Sequence, residues 1–85
     1  MMQKVTIDGR IYVPVKLVIA FNLSGARYAD VVIRHNGREV TITNARIYRS
    51  KYMHGVFIKI PREVMIEYGI QGLDYVEIVS IKPRG

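Results

Sequence analysis

The chain has no cysteine and no tryptophan. Without thiols there is no disulfide, no thiolate nucleophile and no cysteine-based metal site, so packing alone has to hold the fold. Histidine is nearly absent too. His35 stands beside Asn36-Gly37 and His54 before Gly55, and neither has a companion at metal-ligand spacing. Both read as plain surface residues. Long apolar runs are missing: the longest, "LVIAF" at 17–21, falls far short of a membrane span. The opening "MMQKVTIDGR" carries no hydrophobic signal region, so a cytoplasmic location is expected and a membrane partner is not.

Acidic residues are scarce as well. Seven Asp and Glu stand against thirteen Lys and Arg, a formal net charge of +6. Paired carboxylates for acid–base work are therefore hard to assemble. Asp30 and Glu77 occupy matching outward strand positions, where a salt bridge is the expected role. Ser24 and Ser50 lack a motif that would activate either as a nucleophile, and no glycine-rich loop is built to cradle a phosphate. No enzyme activity, metal, cofactor or small-molecule substrate is expected. An excess of cations on so small a domain points instead to a polyanionic partner, with nucleic acid ranked before an anionic membrane surface.

What is present begins with apolar residues, 49% of the total, enough for a folded domain. Eighty-five residues make one domain, 1–85, with a limited core. The apolar positions fall into two copies of one pattern. With Pro14 set over Pro61, "VPVKLVIAFNLSGARYADVV" lies on "IPREVMIEYGIQGLDYVEIV". Pro14/Pro61, Ile19/Ile66, Gly25/Gly72, Tyr28/Tyr75 and Val32/Val79 are identical. Asn22 lies over Gly69, and both types tolerate the left-handed conformation that closes a helix.

Each copy reads as strand, proline, short helix, turn and strand. In "RIYVP" and "VFIKIP" the residues alternate, so that Ile11, Val13, Ile58 and Ile60 face inward while Tyr12 and Lys59 face out. Proline is preset for a first helical turn and disfavours helix at the residue before it. Helices are thus predicted over 14–21 and 61–68. Strands follow at "YADVVIR" and "YVEIVSI"; Asn36-Gly37 marks a two-residue hairpin, "REVTIT" returns antiparallel, and "ARIYRS" runs on as a strand. A unit of about 40 residues cannot bury enough surface to fold alone. The first half-repeat (3–43) and the second (44–82) are therefore expected to complete one core around a pseudo-two-fold axis.

The sequences "GRIYVP…L…NLSGA" and "GVFIKIPREV…YGIQGLDYVEI" resemble the AbrB/MazE/SpoVT swapped-hairpin family. The second copy is the closer, with Leu73 inserted between Gly72 and Asp74; the first has Asn22 for the glycine, Ala26-Arg27 for the Leu-Asp step and an apolar helix. The resemblance implies an α+β, β-rich fold: a swapped-hairpin-like small β-barrel with two short helices. It also implies double-stranded DNA as the partner, a role in transcription regulation and a nucleoid-associated location. Family members are usually two-chain dimers, whereas two copies here predict a single-chain pseudo-dimer or a unit that dimerises further. Antitoxin members carry a toxin-gripping tail; with "SIKPRG" last in the sequence, that role is not expected.

The cations give the candidate DNA-binding set: Lys4, Arg10, Tyr12, Lys16, Arg46, Arg49, Lys51, Lys59 and Arg62. Arg10, Tyr12 and Lys59 are outward strand positions, while Lys16 and Arg62 sit at helix starts, where the positive helix end adds to the field. Along "RIYRSKY", Arg46, Tyr48 and Ser50 share one face and Arg49 and Lys51 the other. Arg34 and Arg38, flanking the hairpin turn, rank lower. Phosphate contacts are expected to dominate over base readout. No stacking platform is visible, which puts RNA third.

Helix 1 is the odd element. Val15, Lys16, Ile19 and Ala20 take the places that Arg62, Glu63, Ile66 and Glu67 hold in helix 2, giving an apolar outer stripe. Val15, Ile19 and Ala20 form a candidate protein interface or homodimer surface, and a protein-interaction module is the rival reading.

Overall fold

The computed structural model describes residues 1–84. In chain order the elements are β1 (Met2–Lys4), β2 (Arg10–Val13), α1 (Val15–Ala20), β3 (Tyr28–His35), β4 (Arg38–Arg49), β5 (Val56–Lys59), α2 (Arg62–Tyr68) and β6 (Tyr75–Arg84). All strand pairs are antiparallel, in the order β1-β6-β3-β4-β5-β2. A single bridge, Val5 to Ile11, brings the two ends of that order together. The result is a nearly closed, barrel-like sheet with two short helices. No helix among the described residues is long and apolar enough to cross a membrane.

Prolines set the strand-to-helix corners. Pro14 (φ −64°, ψ 159°) and Pro61 (φ −58°, ψ 143°) are extended caps on which α1 and α2 begin. Both helices close in the same way. Asn22 (φ 58°) and Gly69 (φ 65°) are left-handed, as predicted. The amide of the next residue then reaches back to the last turn, Leu23 to the Val18 carbonyl at 2.8 Å and Ile70 to the Met65 carbonyl at 2.9 Å. This is a Schellman closure, and it drives Leu23 and Ile70 into the core as the hydrophobic partners of the motif. The hairpin turn holds too, with Asn36 and Gly37 at positive φ.

Alternation does the rest. On β2 and β5, Ile11, Val13, Val56 and Ile58 are buried while Arg10, Tyr12, Phe57 and Lys59 remain partly exposed. Ile33, Ile42, Leu23, Ile60 and Val76 join them in one core. Fully burying such a side chain contributes about 1.5–3 kcal/mol, which is how a small domain without cross-links stays folded.

One irregularity decides which way β4 points. Its first half buries Val40 and Ile42, and unbroken alternation would carry Asn44, Arg46 and Tyr48 inward. Instead Thr43 and Asn44 together oppose Asp30, and the pairing shifts between Ala29 and Val31. Asn44 takes φ 58°, and its amide donates to Asp30 Oδ1 at 2.8 Å. This β-bulge inverts the parity, so Ala45 and Ile47 turn inward and Arg46 and Tyr48 outward. Beyond it β4 makes two more pairs with β3, Ala29–Ala45 and Tyr28–Arg46, before Ile47 begins the pairing with β5.

Candidate nucleic-acid interface

The outward residues of β2, β5 and β4 make one surface. Register places Tyr12 opposite Phe57 and Phe57 opposite Tyr48, giving a row of three half-buried rings across three strands. Beside it runs a row of cations. Arg10 is opposite Lys59, and Arg46 stands one step beyond the Ile47–Ile58 pair, on the Lys59 level of β4. Tyr12 and Phe57 are 5.4 Å apart at a tilt of 55°. The guanidiniums of Arg10 and Arg46 both reach the Tyr48 ring, at 4.7 and 5.3 Å. Cation–π attraction holds Arg46 against its rings, and Arg10 against Tyr48, while leaving their charge open to an anion.

One acid intrudes. Asp8 Oδ2 lies 3.2 Å from Arg10 Nε, a contact of charges without hydrogen-bond geometry. The Thr6 hydroxyl, with Arg10 and Lys59 nearby, holds the Asp8 carboxyl below its ordinary value of 3.8. Lys59 Nζ donates to the Asp8 carbonyl, which ties the β1–β2 loop to β5. Glycine seats Tyr12: a Cβ at Gly55 would come within 2.7 Å of the ring and 2.2 Å of the Val13 carbonyl.

The other candidates divide. Lys4 lies off this row on β1, over the Tyr75 ring at 5.6 Å, and Arg46 reaches Tyr28 at 5.9 Å in the same manner. Lys51 is exposed in the β4–β5 loop, over Tyr52. Lys16 and Arg62 are exposed at the helix starts, but helices of six and seven residues add little field there. Arg49 departs from expectation. Its guanidinium donates to the carbonyls of Leu23 (2.7 Å), Ala26 (2.8 Å) and Ser24 (2.9 Å). Those bonds clamp the loop after α1 to β4 and leave little of the fork for a phosphate.

His35 is also corrected. It ends β3 rather than sitting in the turn, and its side chain is 5% exposed. The reason is parity: Ala29, Val31, Ile33 and His35 all face inward. Its Nε2 lies 3.0 Å from Asp74 Oδ2, which also accepts the Gln71 amide at 2.9 Å. That amide, then His35, keeps the Asp74 carboxyl below its ordinary value. The pair pins the hairpin end to the loop before β6. His54 is exposed as expected. Among the described residues no three potential metal ligands converge.

Asp30 and Glu77 both make ion pairs, Asp30 with Arg84 at 2.9 Å and Glu77 with Arg34 at 2.6 Å. The α1 stripe is exposed rather than buried: Val15 and Ala20 are open and Ile19 is 70% exposed. Ile66 on α2 is just as open, at 71%. Two members of the basic face escaped the sequence reading. Phe57 was detectable, since it shares strand parity with Lys59. Asp8 was not, because its approach to Arg10 depends on the loop conformation. Comparison with family models, curated proteins and solved structures finds no match.

Proposed function

We propose that this chain binds double-stranded DNA through the outer face of β2, β5 and β4, as a small transcriptional regulator or chromatin-type protein. The observation that carries the reading is the row of Arg10, Lys59 and Arg46 on adjacent strands, where the one salt bridge among the described residues is that of Arg10 with Asp8. Adjacent strands are about 4.8 Å apart, so such a row presents cations at a spacing that can follow a line of phosphates. Binding releases counterions, and the contacts position the protein without reading bases. Lys4, Lys51 and the helix-start cations Lys16 and Arg62 would extend the grip.

The chain is further proposed to be a single-chain pseudo-dimer of the swapped-hairpin kind. Several features support this. Ile11 pairs with Ile58, its own counterpart 47 positions on. Lys4 over Tyr75 mirrors Arg46 over Tyr28. The two helices share their proline start and Schellman end. Because the cation and ring rows differ between the halves, the DNA site should be at most imperfectly palindromic.

The test is a titration of labelled duplex DNA at several salt concentrations, with wild type beside a variant carrying Arg10→Ala, Arg46→Ala and Lys59→Ala. Wild type should bind with a steep salt dependence, and the variant, shown folded by circular dichroism, should lose about 0.9 of log–log slope per lost phosphate contact. Absence of binding at low salt would end the reading. A protein-contact role is the second reading, favoured by the open Val15, Ile19 and Ala20. Salt-insensitive self-association, abolished by Ile19→Glu, would favour it.

A further inference from the structure

We infer that the same face takes unpaired nucleotides, whose bases stack on the row Tyr12–Phe57–Tyr48 while Arg10, Lys59 and Arg46 hold the backbone. The inference rests on the nucleic-acid reading of this face and specifies the form of the ligand.

Three aromatic residues far apart in the sequence meet in one row because strand register aligns them. They point away from the core, yet each is half-buried at its base, so the rings are held in place with part of their surface open. Gly55 leaves room for Tyr12 to lie against the backbone, and Phe57 braces it at 5.4 Å. The guanidiniums of Arg10 and Arg46 rest near the Tyr48 ring at 4.7 and 5.3 Å, and their move onto backbone phosphates frees that ring for a base. The two rows are offset by two residues along each strand, about 6.6 Å, so base and phosphate positions alternate over the surface.

A duplex does not use such a platform. Its base faces are covered by their neighbours, and only groove edges and phosphates reach a protein. A single strand offers every base face, and stacking is indifferent to which base it is. Phosphate attraction alone would account for the cations without the rings. Rings and cations together fit an open strand.

The experiment compares anisotropy titrations of labelled oligo(dT), oligo(U) and a duplex of equal length, at one salt concentration. The expected result is tighter binding of a single strand than of the duplex, with tyrosine emission quenched at saturation; no tryptophan obscures that signal. Phe57→Leu and Tyr48→Leu should each weaken single-strand binding about tenfold, while Tyr48→Phe, which keeps the ring, holds wild-type affinity. Duplex binding should weaken less than single-strand binding in both leucine variants, because Arg10, Lys59 and Arg46 remain. The two single strands separate a deoxyribose from a ribose ligand, and a preference for either over duplex supports stacking. If the duplex binds at least as tightly as both single strands, or if both folded leucine variants bind like wild type, the stacking inference is overturned and the basic-face reading stands. If no form binds at low salt, both fall.

Discussion

The barrel carries cations on two opposite faces and treats them differently. On β3 and β6, Arg34 lies between Glu39 and Glu77, and Arg84 is held by Asp30. On β2, β5 and β4, Arg10 pairs with Asp8, Lys59 donates to the Asp8 carbonyl, and Arg10 and Arg46 lean on tyrosine rings. The first face is neutralised internally, so its field at a distance is small. The second keeps its charge in a form that an outside anion can complete. Net charge counts both faces alike. What distinguishes them is where the seven acids lie, and this is why a formal +6 can act as a directed site rather than a diffuse halo.

The largest expected effect comes from removing the device that gives β4 its outward cation and ring. Asn44→Val places a β-branched residue where φ is 58° and so disfavours the bulge; without it, alternation continued from Ile42 at unchanged length turns Arg46 and Tyr48 toward the core, with Ala45 and Ile47 outward. Duplex binding should be lost along with much of the thermal stability, measured by titration and by a melting curve. Folded protein with wild-type affinity would show that the face does not depend on the bulge. Next comes a cation that belongs to neither face. Arg49→Ala removes three charged hydrogen bonds and should cost about 1.5–3 kcal/mol of unfolding free energy. The salt slope of binding should be unchanged, which denaturant melts and titrations would show together. A drop in slope would return Arg49 to the binding set.

The smallest effect sharpens the contrast most. Asp8→Asn leaves the binding face without an acid and should raise duplex affinity a few-fold at low salt. The sign with pH follows from the depressed Asp8 pKa. Its carboxylate opposes binding throughout the neutral range, so the advantage of the variant persists there. It should disappear only as pH falls through the lowered Asp8 value, beneath 3.8. Affinity measured from neutral to acid pH for both proteins checks this. An advantage that faded already near neutrality would implicate another group.

Local signals carried much of the architecture. Pro14 and Pro61 start helices because proline fixes φ wherever it stands, and Asn22, Gly69 and Asn36-Gly37 take positive φ by their own chemistry. Strand parity correctly placed Arg10, Tyr12 and Lys59 outward. The losses were all long-range. His35 looks like a turn residue until β3 is seen to run to its end, with Asp74 arriving from 39 positions away. Arg49 is exposed, as read, but its bonds to three carbonyls of the α1 loop could not be seen from its own segment. The aromatic row was invisible because Tyr12, Tyr48 and Phe57 share no local pattern; only pairing register joins them. Periodicity reports which side of a strand a residue occupies, and it is silent on which strand lies alongside.

The seam between β1 and β2 rests on the Val5–Ile11 bridge and the Thr6–Arg10 contacts, where other neighbours are laced by full ladders. Few backbone hydrogen bonds hold that seam, so amide hydrogens near it should exchange with solvent earlier than those of β3 and β4. The β2 edge exposed in that opened state could accept a strand from another copy, making the seam the place where two molecules would trade segments under destabilising conditions.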